Sequence, residues 1–186
     1  MKLVVGLGNK GEEYYKTRHN VGFVAIDAIT LKKNISIDKV KFGGLYNESV
    51  INGEKIIFLK PQRYINLSGE VIKKFIDFFK IDIENILIIH DDLDLPCGSF
   101  KLKYKGGSAG HNGLKDIEKN LGTKEYKRIK IGISNNKQID TKNYVLGKVN
   151  KEEEEKLKIV IDEIVKIFDD YLEMSFDNLM NKYNVK

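Results

Sequence analysis

Two rhythms of apolar and polar positions run along this chain, and the switches between them mark out its elements. An apolar run over residues 2–7, closed by Gly6 and Gly8, predicts a buried first strand. Residues 9–19 are polar and irregular; from there Val21, Val24, Ala25, Ala28 and Ile29 recur at helical spacing, with Asn20 placed to cap that helix. Residues 45–51 and 55–59 are rich in strand formers and meet at Asn52-Gly53, a two-residue hairpin signal, and Pro61 ends the second strand. Val71, Ile72, Phe75, Ile76 and Phe79 then line one face of a second helix.

The unbroken apolar run 86–89 predicts a central strand buried on both faces, stopping at His90-Asp91-Asp92-Leu93-Asp94-Leu95-Pro96. Residues 99–104 read as a strand with alternating lysines, and Gly106-Gly107-Ser108-Ala109-Gly110-His111-Asn112-Gly113 as a loop into a short helix near 114–121. Another strand spans 128–133. Asn150 and Glu153 form a capping box opening a long helix, whose apolar face is Leu157, Val160, Ile164, Ile167, Phe168 and Tyr171. A short helix at about 175–183 completes the chain. Strands interleaved with helices, plus one hairpin, predict a three-layer α/β fold. Its twisted mixed β-sheet has a parallel centre flanked by helices, in a single domain over residues 1–186.

Composition narrows the class. With 186 residues, 41% hydrophobic and 32% charged, the chain can bury a core of its own. No apolar run approaches the roughly 20 residues that cross a bilayer, so no membrane association is expected. The N-terminal apolar run is too short for a signal peptide, and the lone Cys97 cannot form an internal disulfide, so a cytoplasmic location is expected. The net charge of +5 favours polyanions modestly, and lysine carries nearly all of it.

The chemistry concentrates at element boundaries. His19 sits just past the first strand, between Arg18 and Asn20, where a neutral imidazole can take a proton from water. Asp91, the first carboxylate beyond the apolar strand, is best placed to accept an N–H from His19 and fix its tautomer. The same segment also reads as a solvated turn, or as a metal cluster whose spacing fits no familiar zinc or facial-triad pattern. Gly6-Leu7-Gly8-Asn9-Lys10-Gly11 matches G-x-G-x-x-G, but no helix opens at once and no acidic ribose ligand follows, so the glycines more plausibly turn the chain. The loop 106–113 lacks a P-loop ending. Lys101, Lys103 and Lys105 on one strand, with Arg128 and Lys130 on the next, form a basic stripe suited to phosphates or simply a solvated face. Asn9, Asn66 and Asn112 read singly as caps or turns. Together they offer uncharged donors for an amide- and ester-containing substrate.

Five ordered blocks go further. Val4-Val5-Gly6-Leu7-Gly8-Asn9, then Tyr14 with Thr17-Arg18-His19-Asn20 and Gly22, then Asn66-Leu67-Ser68-Gly69, His90 to Pro96, and Gly110-His111-Asn112-Gly113-Leu114-Lys115 closely resemble bacterial-type peptidyl-tRNA hydrolases in order and spacing. The resemblance runs from residue 2 to about 150. It implies hydrolysis of the ester linking a peptide to the terminal ribose of tRNA, with no cofactor, no metal and no obligate protein partner, in a monomer. On that mapping His19 is the general base and Asp91 orients it. Asn112 helps place the water; Asn9 and Asn66 hold the peptide backbone and the 3′ end; Tyr14, Ile65 and His111 line the cleft. Lys101, Lys103, Arg128 and Lys130 fall where the family grips tRNA phosphate. Lys10, Ile65 and Lys130 depart from the family's frequent proline, methionine and arginine without removing a chemical group. Two rivals remain: a non-catalytic RNA-binding relative of the same fold, and a metal-dependent hydrolase using His90 and nearby carboxylates.

Overall fold

The N-terminal apolar run forms β1 (Lys2–Gly6), buried throughout after Lys2. In the computed structural model, which describes residues 1–184, six further strands follow: β2 (Lys39–Lys41), β3 (Gly44–Ile51), β4 (Glu54–Pro61), β5 (Ile86–Asp92), β6 (Phe100–Lys105) and β7 (Glu125–Gly132). The helices are α1 (Val21–Lys32), α2 (Ser68–Phe79), α3 (Asn112–Leu121), α4 (Thr141–Val145), α5 (Lys151–Tyr171) and α6 (Phe176–Tyr183). All seven strands join one sheet in the order β2-β3-β4-β1-β5-β7-β6. The centre, β4-β1-β5-β7, is parallel, and β2, β3 and β6 add antiparallel edges.

Strand alternation divides the core into two layers. Val4, Phe58, Leu87 and Ile89 face α1, α5 and α6; Leu3, Val5, Leu59 and Ile88 face α2 and α3. The hairpin turns at Asn52 and Gly53 with φ of 51° and 80°, the paired positive values of a type I′ turn. The capping box opens α5 as the spacing predicts, with Glu153 N–H donating to Asn150 and Asn150 N–H donating to Glu153. Among the described residues no helix is long and apolar enough to cross a membrane.

Four local expectations are corrected. The helical face of α1 is rotated, so that Val24 is 44% exposed and Ile26 is fully buried. The cause is backbone contact at Gly22, where a Cβ would stand 2.4 Å from the Ile89 carbonyl oxygen and 2.6 Å from the Leu7 backbone. The β5 ladder does not stop at His90 but continues to Asp92, because β7 pairs with it through Gly132. β7 itself starts at Glu125 rather than 128. Short α4, capped by Asp140, lies in a stretch whose polarity hides it.

Gly22 thus seats α1, and with it the residues just before, directly on the carboxyl ends of β1 and β5. Gly22→Ala should destabilise the fold by about 3 kcal/mol, since neither backbone wall can yield to the new methyl. A denaturant melt showing an unchanged midpoint would contradict this packing.

Candidate active site

Every loop that builds the site leaves the carboxyl end of a parallel strand or opens a helix above it, as expected for ligand sites in open α/β sheets. After β1 the chain runs through two single 3-10 turns, Glu12–Tyr14 and Arg18–Asn20, the second carrying His19 at the entrance to α1. No helix opens at the glycines, so the loop has no dinucleotide-binding form. Asn20 does not cap α1 with its side chain. Its amide pairs with the Asn9 backbone instead, accepting the Asn9 N–H at 2.8 Å and donating to the Asn9 carbonyl at 2.9 Å. Asn9 in turn accepts the Ile65 N–H on Oδ1 at 2.6 Å. Its oxygen is therefore committed to the loop after β4, and the NH2 group is what it can offer a ligand.

Asp91 organises the centre. Its carboxylate is 2% exposed and receives two imidazoles, His19 Nδ1 at 2.7 Å on Oδ2 and His111 Nε2 at 2.8 Å on Oδ1. His111 Nδ1 accepts the backbone N–H groups of Gly113 and Leu114, capping α3, so a neutral His111 carries its proton on Nε2 and donates it to Asp91. A neutral His19 takes the opposite tautomer, donating from Nδ1 and leaving Nε2 as a base. Burial alone would raise the Asp91 carboxyl. The two imidazoles and the hydrogen bonds they donate outweigh it and hold the group well below the ordinary carboxylate range.

His90 has a different place. It is fully buried and donates from Nδ1 to the Asp91 carbonyl at 2.7 Å; burial and the neighbouring His111 push its pKa down to about 3, so it is neutral. His19, Asp91 and His111 each offer a ligand atom within 4.8 Å of the others, so this trio, not the His90 segment, is where a cation could be held. The trio's spacings are those of N–H···O bonds, which a cation would have to displace.

Around this network lies a cleft of about 1250 Å³. It collects His19, Asp91, Asn9, Tyr14, Ile65, Asn66, His111, Asn112 and Lys130, residues separated by as much as 121 positions in sequence between Asn9 and Lys130 (130 − 9). Asn66 and Asn112 are exposed at its walls. Tyr14 meets Tyr64 edge to face at 6.4 Å. Sequence reading missed Tyr64 and the segment 135–146, including Tyr144, as parts of the cleft lining. The Asp140 cap signal could have located that segment.

The basic strands pair as their alternation predicts, Lys101 opposite Lys130 and Lys103 opposite Arg128. They are not equally accessible, and Arg128 is the least so. It is fully buried, donates to the carbonyls of Gly106 at 2.7 Å, Gly107 at 3.2 Å and Lys124 at 2.6 Å, and stacks 4.2 Å over Tyr126. In this structure its guanidinium holds the glycine loop and the Lys124 carbonyl. Lys130 is 9% exposed and paired with Asp92 at 3.2 Å. Lys101 is exposed and Lys103 half-buried. The charge of Lys130, followed by burial and the charge of Arg128, pulls the Lys103 ammonium below its usual range, a sign of concentrated positive potential.

Comparison with known proteins agrees with this fold. The family model described as "Peptidyl-tRNA hydrolase" matches residues 3–186. A peptidyl-tRNA hydrolase of Bacillus cytotoxicus is 45% identical over 185 residues, covering 99% of this chain and 100% of the relative. One from Listeria monocytogenes is 41% identical over 186 residues, with both chains fully covered. The crystal structure of peptidyl-tRNA hydrolase from Acinetobacter baumannii superposes with a TM-score of 0.93 at 35% identity, covering 100% of this chain and 95% of that one. This chain belongs to the peptidyl-tRNA hydrolase family.

Proposed function

We propose that the chain hydrolyses the ester between peptide and tRNA in peptidyl-tRNA, with His19 as general base. The observation that carries the mechanism is the Asp91 carboxylate shared by two imidazoles, His19 through Nδ1 and His111 through Nε2, in the cleft. His19 Nε2 takes a proton from a water that attacks the ester carbonyl carbon. The new imidazolium is stabilised by Asp91, which is already ionised. As the tetrahedral intermediate collapses, the carbon–oxygen bond to ribose breaks and the imidazolium returns the proton to the leaving oxygen. The products are a peptide carboxylic acid and tRNA with its terminal hydroxyl restored. An ester needs only modest help, so a positioned water, one base and uncharged donors suffice.

The remaining residues divide by what they touch. Asn9 offers its NH2 group to the peptide carbonyls, beside Ile65; Asn66 holds the 3′ end and faces the developing oxyanion; Asn112 places the water, and Tyr14 packs the peptide. Lys101 and Lys103 meet tRNA phosphate, with Lys130 behind them held by Asp92. A peptide amide next to the ester distinguishes this substrate from aminoacyl-tRNA, whose charged amine lacks that carbonyl. On this reading the enzyme works as a cytoplasmic monomer.

His19→Ala should lower kcat by about a thousandfold with the fold intact, and Asp91→Asn by a smaller factor of about ten to a hundred. Assays on peptidyl-tRNA and aminoacyl-tRNA, with and without a chelator, check both the base and the substrate. Wild-type turnover by His19→Ala would sink the mechanism, and loss of activity with chelator would move it to a metal on the His19–Asp91–His111 trio. For the basic strand, Lys103→Ala should weaken tRNA binding uniformly and reduce the salt slope of log K by about 1, measured as binding against salt concentration. An unchanged slope would remove Lys103 from the tRNA surface.

A further inference from the structure

Arg18 stands next to His19 and takes no part in the chemistry above, yet its guanidinium is engaged on every side. Nε and Nη2 donate in parallel to the two oxygens of Glu153, each at 2.9 Å, and Nη1 donates to the Tyr144 carbonyl at 3.0 Å. The guanidinium carbon lies 4.1 Å from the centre of the Tyr144 ring. An exposed ion pair would be worth little. Here the two side chains are 15% and 14% exposed, and the planar fork fits the carboxylate in the bidentate geometry that only arginine provides.

The contact points of Arg18 are themselves anchored. Glu153 Oε1 also accepts the Asn150 N–H, so one carboxylate closes the cap of α5 and holds Arg18. Tyr144, which lines the cleft, donates its hydroxyl to the Ile133 carbonyl at 2.6 Å. The backbone is laced as well: Arg18 N–H donates to Gly147 at 3.0 Å, Val149 N–H to Lys16 at 2.9 Å, and Thr17 bridges Lys148. Gly147 leaves room for the fork, since a Cβ there would stand 2.5 Å from Arg18 Nη1. His19 thus occupies a single 3-10 turn, intrinsically weak, between two anchors: Asn20 on the Asn9 loop, and Arg18 on the segment 144–153.

We propose that Arg18 is a positioning residue for the hydrolysis, whose forked pair with Glu153 locks the turn carrying His19 to the start of α5 and to α4, which lines the cleft. The proposal rests on the reading of His19 as the base. Holding Nε2 in line with the attacking water matters in the transition state, while Asn9 and Asn66 bind substrate from other loops. Loosening the clamp therefore lowers kcat more than it raises KM.

The test compares Arg18→Met, Arg18→Lys and Glu153→Gln with wild type, reading kcat, KM and the NMR signal of the His19 Nδ1 proton bonded to Asp91. Arg18→Met should lose about ten- to a hundredfold in kcat while KM stays within about threefold, and its His19 signal should shift or broaden. Arg18→Lys should not restore the rate, because an ammonium cannot span both carboxylate oxygens and the Tyr144 carbonyl. Glu153→Gln should lie between Arg18→Met and wild type, and decides the matter alone if Arg18→Met does not fold. A wild-type kcat in a folded Arg18→Met or Glu153→Gln overturns the proposal. So does a reduced kcat with the His19 signal unmoved, which would mean only fewer folded molecules. The signal reports the clamp whether or not His19 is the base, and His19→Ala tests the base separately.

Discussion

A buried carboxylate is costly to keep ionised unless hydrogen bonds replace the water it has lost, and Asp91 meets that condition with two imidazoles, one on each oxygen. Much of the surrounding structure serves this arrangement. β5 must run on past its apolar stretch so that Asp91 keeps strand geometry while its side chain reaches the top of the sheet. α1 must sit on bare backbone at Gly22 so that the turn before it delivers His19. The glycine loop must close onto α3 so that His111, capping that helix with Nδ1, has only its Nε2 proton left for Asp91. One helix cap thereby sets the tautomer of His111, and the ionised carboxylate, which can only accept, sets that of His19.

Charge is used in two ways elsewhere in the molecule. Arg18 and Arg128 both turn planar guanidinium groups inward, one onto Glu153 and the Tyr144 carbonyl, the other onto the carbonyls of the glycine loop. Both brace segments that line the cleft, where a backbone carbonyl or carboxylate needs several donors in a fixed fan. Lysine, a flexible point charge, supplies the stripe on β6 and β7, with Lys101 exposed, Lys103 half-buried and Lys130 paired with Asp92. The few arginines in this lysine-rich chain are thus not interchangeable with the rest of its positive charge.

Local patterning made the frame readable in advance: the parallel centre from apolar runs, the hairpin from Asn52-Gly53, the start of α5 from Asn150 and Glu153. The convergence of Asn9, His19, Asn66, Asp91, His111 and Asn112 was legible only through the ordered blocks, because nothing in spacing alone says that five such places in the chain meet. What escaped was decided by contacts distant in sequence. Strand pairing with β7 carries β5 through polar residues that end its apolar run. Asn20 caps nothing because the Asn9 backbone competes for its amide. Arg128 has the right alternation for a basic stripe, yet its guanidinium is folded under the glycine loop and donates to the Gly106, Gly107 and Lys124 carbonyls.

The opposed tautomers on Asp91 can be read directly. Nitrogen-15 NMR of the wild-type histidine side chains near neutral pH should show His19 protonated on Nδ1 with a bare Nε2, and His111 protonated on Nε2 with a bare Nδ1. A proton resident on His19 Nε2 would leave the cleft without its base and contradict the mechanism.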